Sequence, residues 1–170
     1  VLFGVMVVAQ AAGVDVFGAV ARWTEETFHF NVSGADGSTA WFADYQEELD
    51  AAGLSKEYLP TWVPEGYEVE LIEAYDTGTI KDIYLLLQGK EGSSIDFFIS
   101  IHQTPESMES TIFEKDEAPV RTVQMDGRDI YFFENLDSQR AVSQYQNIIY
   151  ALSGDISEQI VLGILSSIGG

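Results

Sequence analysis

The chain of 170 residues contains no cysteine, only two histidines and only four prolines, and sets eight lysines and arginines against 28 aspartates and glutamates. Without cysteine there is no disulfide framework, no thiol nucleophile and no thiolate-held zinc, and two histidines alone make a poor transition-metal site. That absence does not by itself select a compartment. The shortage of basic residues leaves a formal charge of −20. Such a field repels a phosphate backbone, so nucleic-acid binding by counterion release is excluded, and anionic membrane surfaces are disfavoured for the same reason. Motifs that travel with a mechanism are missing too: there is no His-Glu-x-x-His, Walker A loop, Gly-x-Ser-x-Gly elbow or EF-hand loop.

What remains is the composition of an ordinary globular protein, with 46% apolar residues. A chain of this size buries roughly two-thirds of its unfolded surface, enough for one domain with appendages. Residues 1–14 form a first unit. Val1 to Ala12 is a near-continuous apolar run that reads as the outer end of a transmembrane helix, although twelve residues fall short of the ~20 a full span needs. A buried N-terminal element is the alternative, and Ala9-Gln10-Ala11-Ala12 also resembles a signal-peptide cleavage site. Residues 15–53 read as a helical region. Asp15 is placed to cap a helix over 15–30, with Val16, Val20, Trp23, Thr27 and Phe30 on one face, docked on its own domain, on the membrane surface or on a partner. Ser38 or Thr39 then caps a second helix carrying Phe42, Tyr45, Leu49 and Ala52, closed by Gly53.

Residues 54–170 change period from 3.6 to 2. Tyr67, Val69, Leu71 and Tyr75 fall on one side of a half-buried strand, and Ile83 to Leu87 form a second, more apolar one. The third is the clearest, with Ile95, Phe97, Ile99 and Ile101 facing one way and Asp96, Phe98, Ser100 and His102 the other. Residues 104–118 read as acidic and irregular. Asp126-Gly127 predicts a type I′ hairpin between Val120–Met125 and Arg128–Glu134, and two further strands follow at about 139–145 and 148–153. Ser157 caps a closing helix, with Ile156 and Val161 placed as a hydrophobic staple and Ile160, Val161, Ile164, Leu165 and Ile168 as its apolar stripe. Short turns without helical crossovers imply an antiparallel sheet. The expected fold is therefore α+β: about six to seven antiparallel strands with N-terminal helices and a C-terminal helix packed on the sheet.

The most concentrated polar constellation is Asp96, Ser100 and His102 on one strand face, with Glu134 placed across the sheet and Phe98 among them. Alternate residues on a strand stand nearly 7 Å apart at ~3.3 Å per residue, too far for a nucleophile and its base, so a polar face exposed to water is the plainer reading. These five residues are the candidate ligand-binding set, with no catalytic residues assigned. His29, between Phe28 and Phe30, reads as a helix-end or partly buried histidine. Glu114, Asp116 and Glu117 are a linear acidic run rather than the converging oxygens that calcium requires, and Asn31-Val32-Ser33 is a glycosylation sequon only in a eukaryotic secretory setting. No metal or cofactor is expected.

Three stretches carry a family likeness: Leu59-Pro60-Thr61-Trp62-Val63-Pro64-Glu65-Gly66-Tyr67, Ile130-Tyr131-Phe132-Phe133-Glu134-Asn135 and Tyr150-Ala151-Leu152-Ser153-Gly154-Asp155-Ile156-Ser157. They resemble the bacterial domain of unknown function 4367. The segment Ala12 to Trp23 is similar to the stretch just outside the membrane helix in many relatives. Relatives tend to have a Trp where this chain has Val142-Ser143-Gln144-Tyr145, so a pocket built on that aromatic is not expected. The resemblance implies a short cytoplasmic part, one membrane helix and this domain outside the cell, in some cases as anti-sigma-like regulators. The expectation is a non-enzymatic extracytoplasmic sensing or binding domain, anchored to the cell membrane through its N-terminal helix, with an unidentified protein partner or small ligand and no nucleic acid. An extracellular hydrolase using Asp96 and Glu134, and a structural docking module, are the alternatives.

Overall fold

The computed structural model describes residues 59–168 in full and, before them, the backbone of three strands: Met6–Val8 (β1), Ala19–Trp23 (β2) and Thr27–Val32 (β3). The principal layer is a seven-stranded sheet. Its members are β4 (Glu68–Asp76), β5 (Ile80–Gln88), β6 (Ser94–His102), β8 (Arg121–Met125), β9 (Arg128–Asn135), β10 (Ser138–Tyr145) and β11 (Ile148–Gly154). They lie in the order β4-β5-β6-β11-β10-β9-β8, every pair antiparallel. The chain meanders to the centre, leaves the sheet, re-enters at the far edge and meanders back, so β6 and β11 meet in the middle. Between them come α1 (Pro105–Glu109) and β7 (Ile112–Glu114), and α2 (Glu158–Ser166) closes the chain.

The pleat sorts β6 as its alternation predicts. Ile95, Phe97, Ile99 and Ile101 point to an inner face, where they join Ile83, Leu85, Leu87, Ile148, Tyr150 and Leu152 beneath Val161, Ile164 and Leu165 of α2. Each such side chain contributes roughly 1.5–3 kcal/mol on burial, and this layer holds most of the domain's apolar mass. Ser157 caps α2 as expected, its Oγ accepting from Ile160 N at 3.3 Å. The Leu59–Tyr67 stretch straps the far end of that helix: Thr61 Oγ1 donates to Ser167 O at 2.9 Å, and the Trp62 ring lies against Gly163. The first of the stretches that carry the family likeness is thus packed on the helix into which the third one leads.

The hairpin at Asp126-Gly127 forms with both residues at positive φ, +51° and +76°. A second tight turn, with no glycine at either central position, joins β9 to β10 at Leu136-Asp137 with φ of +51° and +62°.

Three expectations change. Leu71 and Tyr75 are 39% and 54% exposed, because a bulge between Val69 and Leu71 shifts the register and turns Ile72 and Ala74 to the core in their place. Residues 104–118 are irregular only in part: Thr104 accepts from Ser107 N, Pro105 opens α1, Met108 is fully buried, and Ile112–Glu114 is a strand. In the N-terminal region, the described backbone at Ala19–Trp23 and Thr27–Val32 is strand, within the stretch read as a helix over 15–30. The local alternation of Phe28, Phe30 and Val32 with His29 and Asn31 accounts for it. With β1 and β7 these strands form a second sheet, β1-β2-β3-β7. Met6–Val8 is strand within the apolar run 1–14. The helix read from Ser38 to Ala52 lies outside the described residues. No helix among the described residues is long and apolar enough to cross a membrane.

Gly154 ends β11 at φ +105°, and a Cβ there would stand 2.4 Å from the backbone oxygen of Ser94. Asp155 locks the same corner, its N donating to Ser94 O and its Oδ2 accepting from Ser94 N. Gly154→Ala is expected to lower stability by about 1–3 kcal/mol in urea unfolding, through strain and clash together.

Candidate functional site

The outer face of the sheet is written by three cross-strand rows. One runs Tyr75, Asp82, Ser100, Ile149; the next Glu73, Tyr84, Phe98, Ala151, Val142, Tyr131; the third Leu71, Leu86, Asp96, Ser153, Arg140, Phe133. At one side this face is closed by a small second core of Met108, Tyr131, Phe133, Val142 and Ile149, with Phe113 of β7 packed against it. Beside that core lies a half-open cavity of about 290 Å³. Phe98, Val142 and Ala151 give it an apolar floor, Phe113 a wall, and Tyr84, Asp96, Arg140 and Ser153 its polar groups. Its floor is built on β6, β11 and β10, the centre of the sheet, where strands are paired on both sides.

The polar groups are held differently. Tyr84 donates its hydroxyl to Asp96 Oδ1. That bond, with burial and the nearby carboxylates of Asp96 and Glu73, pushes the Tyr84 phenol up to about 12, so it remains a donor at neutral pH. Arg140 stands on the same row as Asp96, one strand beyond Ser153. No ion pair joins the two, and the Arg140 Nε is buried without a hydrogen-bond partner among the described residues. In a protein so rich in carboxylates, a guanidinium in a cavity wall with its Nε unsatisfied is the feature that most needs an explanation.

Of the five residues singled out from sequence, the structure brings Asp96 and Phe98 into this cavity. Ser100 and His102 share their face, but they are not the water-exposed positions expected: they are 2% and 0% exposed. Ser100 donates to Asp82 Oδ1 at 2.6 Å, and burial pushes the Asp82 carboxyl up. Glu134 belongs elsewhere. It pairs with Gln139 on the inner-face row of Ile95 and Gly154, on the opposite side of the sheet from Asp96 and three strands away, so these two carboxylates cannot act on one bond. Sequence reading missed Arg140, Tyr84 and Phe113. The Arg140 position was legible only through the register of β10 against β11, since on its own strand it is one basic residue in a polar run. The cavity forms with Val142 in its floor. Glu114, Asp116 and Glu117 do not converge, and among the described residues no cluster of three or more acidic or histidine side chains is placed to hold a metal ion. His29 lies on β3, where the backbone alone is described.

His102 is a structural group. The Ser107 hydroxyl donates to Thr104 O at 2.8 Å, so it can only accept from His102 Nδ1, 3.2 Å away; Nε2 is then a bare lone pair, and it has no partner among the described residues. Burial pushes the imidazole down to about 4, outweighing the upward pull of the Ser107 contact. Since the folded value lies below the ordinary 6.5, this contribution is complete above pH 6.5 and is lost as the pH falls towards 4. Between pH 7.5 and 4.5 the wild-type chain is expected to lose about 2–3 kcal/mol more than His102→Gln in urea titrations. Carboxylates such as Asp82 titrate in both proteins and drop out of that difference.

No curated protein matches the chain. A family model does, over residues 57–168, the stretch that holds β4 to β11, α1, α2 and the cavity between them; its description is "Domain of unknown function (DUF4367)". The match covers most of the chain, and with the strap, the Asp-Gly hairpin and the Ser153-Gly154-Asp155 corner all serving the packing described above, the protein belongs to the DUF4367 family.

Proposed function

We propose that this chain is a non-enzymatic binding or sensing domain of a single-pass membrane protein, displayed outside the cytoplasm, with its recognition site in the cavity on the outer face of the sheet. The observation that carries the reading is the cavity itself: an apolar floor on three central strands, with an Arg140 guanidinium whose buried Nε is unsatisfied. Pockets that bind small molecules have this composition, mostly apolar with a few convergent polar groups. The candidate hydrolytic pair, Asp96 and Glu134, has lost its geometric support, which favours binding over catalysis. The resemblance noted in the sequence supports the extracytoplasmic placement and the anti-sigma-like regulatory role.

The cysteine-free sequence allows a direct test of placement. Glu117 is exposed, and Glu117→Cys in the full-length protein is expected to react with a membrane-impermeant maleimide in intact cells, with the labelled protein recovered in the membrane fraction. Labelling only after lysis would contradict the reading.

A further inference from the structure

Asp96 and Arg140 carry opposite charges on the same cross-strand row, face the same cavity and do not pair with each other. The reason is geometric. One whole strand, β11 with Ser153, lies between them, so their backbones stand two strand spacings apart, about 10 Å. Each is therefore left with unused capacity. Asp96 takes the Tyr84 hydroxyl on Oδ1 alone, and the Arg140 Nε is buried and unpartnered among the described residues. Between the two charges the floor is apolar, formed by Phe98, Val142 and Ala151.

We propose that the cavity takes a small zwitterion with an apolar body, of the amino-acid or dipeptide class, whose carboxylate pairs with Arg140 and whose ammonium pairs with Asp96. This deepens the binding reading given above and rests on it. Three physical arguments choose the class. A volume of about 290 Å³ stands at the small end of ligand pockets, which excludes extended polymers as whole occupants. A simple anion would satisfy Arg140 but would approach against the field of a chain with charge −20 and would leave Asp96 beside it unanswered. A simple cation would be drawn in but would leave the Arg140 guanidinium in the cavity wall without a counter-charge. A zwitterion satisfies both walls, carries no net charge against the field, and places its side chain on Phe98 and under Phe113, where an aromatic or branched aliphatic group gains most from burial.

The test uses the 170-residue chain and three probes sharing one apolar body: phenylalanine, 3-phenylpropanoate, which lacks the ammonium, and phenethylamine, which lacks the carboxylate. Binding is measured by calorimetry and by amide chemical shifts. Phenylalanine is expected to move the amides of Phe98, Val142, Ala151 and Ser153 and to bind at least about tenfold more tightly than either analogue. Arg140→Gln and Asp96→Asn are each expected to weaken it about tenfold or more, as loss of one charge-assisted contact predicts. The dispersed amide spectrum of each variant reports that it is folded. If an analogue moves the same amides and binds as tightly as phenylalanine, the zwitterion class is overturned while the cavity remains a binding site. If none of the three moves those amides, both the class and the cavity reading are overturned.

Discussion

The pleat of β6 and β11 is the constraint on which the rest of the molecule depends. Because side chains alternate strictly across a strand, each residue placed in the inner core fixes its neighbour on the outer face. Ile95, Phe97 and Ile99 cannot enter the core without presenting Asp96, Phe98 and Ser100 on the other side, and Tyr150 and Leu152 likewise present Ala151 and Ser153. The candidate site is therefore the reverse side of the stability core. A single register, held by the inner apolar layer, sets the spacing of Asp96, Ser153 and Arg140, and a one-residue slip would abolish the core and the cavity together.

The outer face is graded along its strands. At the β6 end it is buried and polar, with His102 under α1 and Ser100 bonded to Asp82; at its middle it is aromatic; at the third row it carries charge. The same desolvation acts differently at each point. It drives the His102 imidazole neutral, raises the Asp82 carboxyl, and helps to keep the Tyr84 phenol protonated as a donor. Where a partner is at hand on the next strand, as for Tyr84 and Asp96, the groups bond. Where a strand intervenes, as for Asp96 and Arg140, the face keeps unmatched charges, and recognition becomes physically available.

Much of the seven-stranded domain was legible in the sequence because local signals and global fold agree there. The Asp126-Gly127 turn, the β6 alternation and the Ser157 cap with its apolar stripe each specify one conformation without help from distant residues. The misreadings share a different cause. The bulge in β4 inverts a face without disturbing composition, and the Phe28-Phe30-Val32 alternation is short enough to be read as part of a helical period. Thr104-Pro105 was a helix-start signal overlooked inside an acidic stretch. Of the site, Asp96 and Phe98 were visible because they stand on the strand with the clearest period. Arg140 and Phe113 were not, since they reach the cavity through strand order, and no local pattern encodes that β11 returns to pair with β6.

The central claim is that the strands flooring the cavity are the most firmly held part of the protein, so that the separation of Asp96 and Arg140 is fixed before any ligand arrives. Native-state amide hydrogen exchange measures this most directly. The account predicts that the amides of β6, β11 and β10 exchange only through global unfolding, with one shared free energy, while those of the edge strands β4 and β8 exchange through smaller openings. Exchange of β6, β11 or β10 amides at free energies below those of the edge strands would contradict it.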